Sequence, residues 1–92
     1  MIISFKCEYT EALSQGYRVK KFANIAKVAR RKIRQLQIAN RLDDLKVPPG
    51  NRLEALKGDR DGQYSIRIND TFRICFHWTH AGAENVEIVD YH

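Results

Sequence analysis

Gln63-Tyr64-Ser65-Ile66-Arg67-Ile68, Asn69-Asp70-Thr71 and Phe72-Arg73-Ile74-Cys75-Phe76-His77-Trp78-Thr79 form the stretch that decides the fold. Tyr64, Ile66 and Ile68 alternate with Ser65 and Arg67. Phe72, Ile74, Phe76 and Trp78 alternate in the same way with Arg73, Cys75 and His77. This period of two belongs to strands with one buried and one polar face. Asn69-Asp70 predicts a two-residue hairpin turn, and a Gly82-containing turn leads to a last strand over Asn85 to Tyr91 with Val86 and Ile88 on one face.

Working outward, Ile25, Ala29, Ile33 and Leu36 recur at spacings of four, four and three. That spacing predicts an amphipathic helix from Ala23 to near Asn40, with Asn24 as its cap. Glu8 to Ser14 reads as one or two helical turns stopped by Gly16, and Ile2 to Phe5 as a first strand. Leu42 to Leu45 reads as a short helical turn ended by Pro48-Pro49-Gly50. Arg52 to Leu56 reads as a strand before the turn cluster Gly58 to Gly62. Hairpin-linked strands after two helical segments give an α+β fold, an antiparallel sheet with the helices on one face.

The 92 residues suit one domain over 1–92, because a core of this size buries only about 60–65% of the unfolded surface. With 43% hydrophobic and 29% charged residues the chain is globular, and no apolar run has the length of a membrane span. The start lacks the features of a secretory leader, so a cytoplasmic location is expected. Cys7 and Cys75 have no C-x-x-C spacing and read as buried small apolar residues. His77-x-x-His80 implies no third ligand, so no metal site is expected. No glycine pattern resembles a phosphate loop, so no cofactor is expected.

The net charge of +5 is concentrated. Arg18 to Arg34 holds eight basic residues and no acidic one. Of these, Lys20, Lys21, Lys27, Arg30, Arg31 and Arg34 are the candidates for an RNA-binding surface, those on the helix lying largely away from its apolar stripe. A solvated basic helix face, or a docking surface for an acidic protein, is the plainer alternative. If the partner is RNA, cleavage needs no metal, because the 2′-hydroxyl is a built-in nucleophile. The protein then supplies a base, a cation for the crowded phosphate and an acid for the leaving oxygen. Arg73 is the candidate cation, interrupting an apolar strand with a planar fork that fits phosphate. Its plainer role is an ion pair with a carboxylate such as Glu87 across the sheet. Lys57 is a second cation, Glu54 and Asp90 are the available carboxylates, and Tyr91 can stack on a base. The unperturbed titration of an imidazole such as that of His92 lies near neutrality, and an adjacent terminal carboxylate is expected to favour the imidazolium. A frayed polar terminus is the plainer reading of Asp90-Tyr91-His92.

Leu56-Lys57-Gly58-Asp59-Arg60-Asp61-Gly62, Tyr64-Ser65-Ile66, Phe72-Arg73-Ile74 and Asp90-Tyr91-His92, in that order and spacing, resemble the HigB branch of the RelE/ParE toxin superfamily. The resemblance covers essentially the whole chain and implies a RelE-like domain. It also implies a ribosome-dependent mRNA endonuclease, the toxin of a type II toxin–antitoxin pair. The implied partners are the ribosome, its message and a HigA-like helix-turn-helix antitoxin, through which alone operator DNA is met. It places Lys57, Arg73, Asp90, Tyr91 and His92 in the active site. Such relatives often have a histidine three residues before the lysine. This chain has Glu54 there, which can accept a proton but donates one less readily near neutral pH. The superfamily also contains gyrase poisons on the same scaffold, and a non-enzymatic binding module would use the basic helix alone.

Overall fold

A computed structural model of the chain describes residues 1–90. Two α-helices, α1 (Glu8–Ser14) and α2 (Ala26–Ile38), precede four strands, β1 (Glu54–Ala55), β2 (Tyr64–Arg67), β3 (Phe72–Thr79) and β4 (Gly82–Asp90). The strands form one antiparallel sheet in the order β1-β2-β3-β4. This is the expected α+β architecture. Ala29, Ile33 and Leu36 of α2 and Leu13 of α1 are buried in one core with Ile66, Ile74, Phe76, Val86 and Ile88 of the sheet. Each Leu- or Ile-sized side chain removed from water there contributes about 1.5–3 kcal/mol. No helix among the described residues is long and apolar enough to cross a membrane.

Three expectations change at the edges of elements. α2 begins at Ala26, not Ala23, and Ile25 rather than Asn24 occupies its cap position without a side-chain bond. Val19, Phe22 and Ile25 are buried at spacings of three, which suits the 3₁₀ turn at Lys20–Phe22 and delays the α-helix. The β2–β3 connection is a three-residue loop, not a two-residue turn. Ile68 N–H donates to Phe72 O at 3.0 Å, and the Asn69 side chain accepts from Thr71 N at 2.9 Å and Phe72 N at 2.7 Å. An asparagine that bonds to the backbone ahead of it closes this wider loop. β1 is cut to Glu54–Ala55 because Arg52 adopts a left-handed conformation, φ 47° and ψ 54°.

Ile2 to Phe5 does not form a regular strand. Ile2 and Phe5 make isolated parallel bridges to Ala83 and Val86. The ladder breaks between them because β4 carries a bulge. Cys75 pairs with Glu87 but His77 pairs with Glu84, so two β4 residues face one on β3. Asn85, at φ 54°, lies in this bulge, and its N–H is taken by Ser4 Oγ at 2.9 Å. Val86 N donates to Ser4 O at 3.0 Å and Ile88 N to Thr10 Oγ1 at 3.0 Å, so the outer edge of β4 is covered rather than left open.

Gly82 is where the amino-terminal segment comes closest. Its φ is +137°, and a Cβ there would collide with the Met1 carbonyl, whose oxygen accepts from Ala83 N at 2.9 Å. Gly82→Ala is therefore expected to lower stability by about 1–3 kcal/mol. Denaturant unfolding, with hydrogen exchange at Ile3 and Ala83, checks this. Unchanged stability and exchange would show that the segment is not held there.

Candidate functional site

Helices cover one face of the sheet, and strand alternation sends Ser65, Arg73, Cys75 and Glu87 to the other. The register lines up Glu54 with Ser65, Ser65 with Cys75, and Cys75 with Glu87 across all four strands. Arg73 lies one step along β3 and reaches diagonally into this row. Its Nε donates to Ser65 Oγ at 2.7 Å, and its Nη2 donates to the Arg52 carbonyl at 2.7 Å. Nη2 also lies 3.4 Å from Glu54 Oε1. The Arg73 side chain is 12% exposed and that of Glu54 50%, so a sunken cation meets a carboxylate that water still reaches. Nη1 has no protein hydrogen bond among the described residues.

The left-handed turn at Arg52 and the short β1 bring these groups together. The first supplies a carbonyl, and the second carries Glu54 two residues later. Glu87, the carboxylate of the plainer alternative for Arg73, is engaged elsewhere. Arg60 Nη1 donates to Glu87 Oε1 at 2.9 Å and to Gln63 Oε1 at 3.2 Å, while Lys6 Nζ lies 3.8 Å from Glu87. Arg60 wins because the turn Gly58–Arg60 folds it back over the sheet beside Glu87. Between the two ion pairs lies Cys75, fully buried as expected, whereas Cys7 is only half-buried. Burial pushes the Cys75 thiol pKa up against the opposing pull of Arg60, while Glu87 adds to the rise.

The other candidate residues distribute as follows. Lys57 is exposed, between β1 and the Gly58–Arg60 turn. Asp90 is exposed at the end of β4, in register with Phe72, and alternation places it on the Ile88 side of the strand rather than the Arg73 side. Tyr91 and His92 lie outside the described residues. Of the basic set, Lys20, Lys21, Lys27, Arg31 and Arg34 are exposed. Arg30 is not free to meet a partner as expected. Its guanidinium donates to Leu13 O at 3.1 Å and Tyr17 O at 2.9 Å, tying α2 to the end of α1. Lys21 lies over the rings of Tyr9 at 4.9 Å and Phe22 at 5.3 Å. Because α2 packs against the opposite face of the sheet from Arg73, the basic surface and the Arg73 pocket occupy different sides of the domain.

Sequence reasoning passed over Ser65, Arg52 and Arg60. Ser65 was the legible one, since pairing the two alternating strands places a serine diagonally from the arginine. The Arg52 carbonyl had no residue-type signal.

A family model described as the RelE-like toxin HigB of type II toxin–antitoxin systems matches residues 4–92. Toxin HigB-1 of Vibrio cholerae serotype O1 is 33% identical over 87 residues, 92% of either chain. An uncharacterized protein of Haemophilus influenzae is 31% identical over 64 residues, which are 70% of this chain and 63% of that one.

The geometry makes Ser65 the inner anchor of Arg73. Ser65→Ala leaves a part-buried guanidinium N–H without its acceptor, an expected cost of about 1–3 kcal/mol. The Arg73 Nε–H signal in ¹⁵N NMR should shift and exchange faster with water. An unmoved Nε signal would show that the serine does not hold the arginine.

Proposed function

Because the chain belongs to the HigB-like family of RelE-like toxins of type II toxin–antitoxin systems, we propose that it is a ribosome-dependent mRNA endonuclease. The observation that carries this reading is the Arg73 guanidinium, held at Nε and Nη2 by Ser65 and the Arg52 carbonyl with the Glu54 carboxylate beside it. A planar cation fixed on one edge, with Nη1 left for a ligand, suits a phosphate that gains negative charge as it becomes five-coordinate. Lys57, exposed at the loop after β1, adds a second positive charge.

The reaction is in-line attack. A base takes the proton of the 2′-hydroxyl, the 2′ oxygen bonds to the adjacent phosphorus, and the bond to the 5′ oxygen breaks. That oxygen leaves with a proton from an acid, giving a 2′,3′-cyclic phosphate and a 5′-hydroxyl end. Glu54 is the carboxylate placed to accept the first proton, since it lies against the cation that binds the phosphate. The acid is sought among Tyr91 and His92, as the family resemblance implies, since Asp90 lies on the Ile88 side of β4. RNA supplies the nucleophile, so the chemistry requires no metal.

Ribosome dependence is supported by the division of the surface. The cations of α2 lie on the far side of the domain from Arg73, so the RNA they grip is not the phosphate being cut. A body of 31 × 27 × 25 Å with both surfaces engaged at once suits a site walled by structured RNA. The α2 contacts then fix position and are indifferent to message sequence. Much of the acceleration comes from this positioning rather than from a strong base. A type II system supplies an antitoxin that neutralises the toxin. We propose a HigA-like helix-turn-helix protein, which alone brings the pair to its operator, and a cytoplasmic site of action beside the ribosome.

Primer extension on a defined message tests this reading, with Arg73→Ala and His92→Ala beside the parent protein, with and without ribosomes. Cuts that need ribosomes and vanish in both variants are expected. An intact message during growth arrest would overturn the reading and turn attention to gyrase.

The basic surface has its own test. Charge reversal at Lys27, Arg31 and Arg34 is expected to weaken ribosome association and to flatten its salt dependence by roughly 0.7–0.9 log units of affinity per decade of salt for each phosphate no longer neutralised. Cosedimentation at several salt concentrations measures both. Unchanged binding would remove α2 from the ribosome interface.

A further inference from the structure

Asn51 is fully buried, and its side chain is saturated. Nδ2 donates to Gln35 Oε1 at 2.9 Å and to Leu45 O at 3.1 Å, with Val47 O at 3.4 Å. Oδ1 accepts from the ammonium of Lys32, which is only 6% exposed. Burial first, then the charges of Arg31 and Arg67, lower the pKa of Lys32 from the usual lysine value. Gln35 and Lys32 both belong to α2, so a polar plug joins the core side of that helix to residues 45–51. Its members lie at the base of the loop that leads to Arg73. Asn51 N donates to Pro48 O at 2.9 Å and Arg52 N to Pro49 O at 3.1 Å, closing a turn. The next backbone step is the left-handed conformation of Arg52, whose carbonyl holds Arg73.

A bulky residue keeps a left-handed conformation only where its surroundings over-determine it. Here the over-determining contacts are those of Asn51. Apolar residues would fill the same space without an ammonium to desolvate and are often as stable, so a buried polar plug serves to fix one geometry rather than to add stability. We propose that Asn51 and Lys32 are positioning residues for the Arg73 site: together they fix residues 47–52 so that the Arg52 carbonyl is aimed at the guanidinium. The kinetic part of this inference rests on the RNA-cleavage reading above. The positional part does not.

The experiment uses the full chain with Asn51→Ala, Lys32→Met and Asn51→Asp. The aspartate keeps a partner for Lys32 but cannot donate to the carbonyls of Leu45 and Val47. Leu13→Ala, a core truncation on α1, serves as comparator for loss of melting temperature. Two quantities are read: exchange of the Arg73 Nε–H in the free protein, and single-turnover cleavage on programmed ribosomes at varied ribosome concentration. The plug variants are expected to raise Nε–H exchange and to lower the saturating cleavage rate by roughly tenfold or more, with half-saturation changed less than about twofold. Leu13→Ala is expected to lower the melting temperature and leave both quantities near the parent's.

If Asn51→Ala or Lys32→Met does not fold, Asn51→Asp decides. A folded plug variant with parental Nε–H exchange overturns the proposal, as does a rate loss no larger than that of the comparator. A parent protein that cleaves no message would overturn the cleavage reading instead, and the Nε–H exchange would still decide the positional claim.

Discussion

A guanidinium sunk into the polar face of a sheet must find acceptors, and those of Arg73 come from three separate places in the chain. Ser65 arrives on the neighbouring strand, the Arg52 carbonyl on a left-handed turn, and Glu54 on a two-residue edge strand. None can be moved alone. Ser65 is fixed by the β2–β3 register, and that register is fixed by the need to bury Ile66 and Ile74 against the helices. The Arg52 carbonyl depends on the buried amide of Asn51, which in turn depends on α2. The same hydrophobic layer that stabilises the domain therefore sets the position of the Arg73 guanidinium, the cation we propose for the phosphate.

Charge is used in two ways on the two sides of the domain. Around Arg73, Arg60 and Glu87 the cations are paired with carboxylates and partly sunken, an arrangement that fixes geometry. On α2 the exposed cations have few acidic neighbours, which gives long-range attraction without shape. Even there the basic residues are not equivalent, since Arg30 ties α2 to the end of α1 and Lys32 is buried in the polar plug. On the reading proposed above, α2 meets ribosomal RNA and the Arg73 face meets the phosphodiester, and the two uses of charge stay apart.

The sequence made some of this legible and concealed the rest for identifiable reasons. The alternation Tyr64-Ile66-Ile68 and Phe72-Ile74-Phe76 announced the central hairpin, and the stripe Ile25-Ala29-Ile33-Leu36 announced the helix over it, because burial imposes those periods directly. Arg73 stood out as a cation on the polar side of such a strand, and its union with Glu54 joins two residues already singled out on chemical grounds. What stayed hidden depends on contacts between distant segments. The bulge at Asn85 follows from how residues 2–5 lie along β4, and the left-handed Arg52 follows from a buried asparagine. Arg60 takes Glu87, the alternative partner for Arg73, only because a turn folds back over the sheet. No local period records any of these. Asp90 was grouped with Arg73 by motif, yet alternation along β4 separates them, so nearness in a motif did not fix the face.

On the proposed reading, Arg73 works through the fixed geometry of its fork and not through charge alone. Arg73→Lys preserves the charge but cannot reach Ser65, the Arg52 carbonyl and a phosphate together. Single-turnover cleavage of a ribosome-bound message by this variant is the most direct measurement. Ribosome affinity within about twofold of the parent and a cleavage rate lower by roughly a hundredfold are expected. A lysine variant that cuts at the parental rate would contradict that reading.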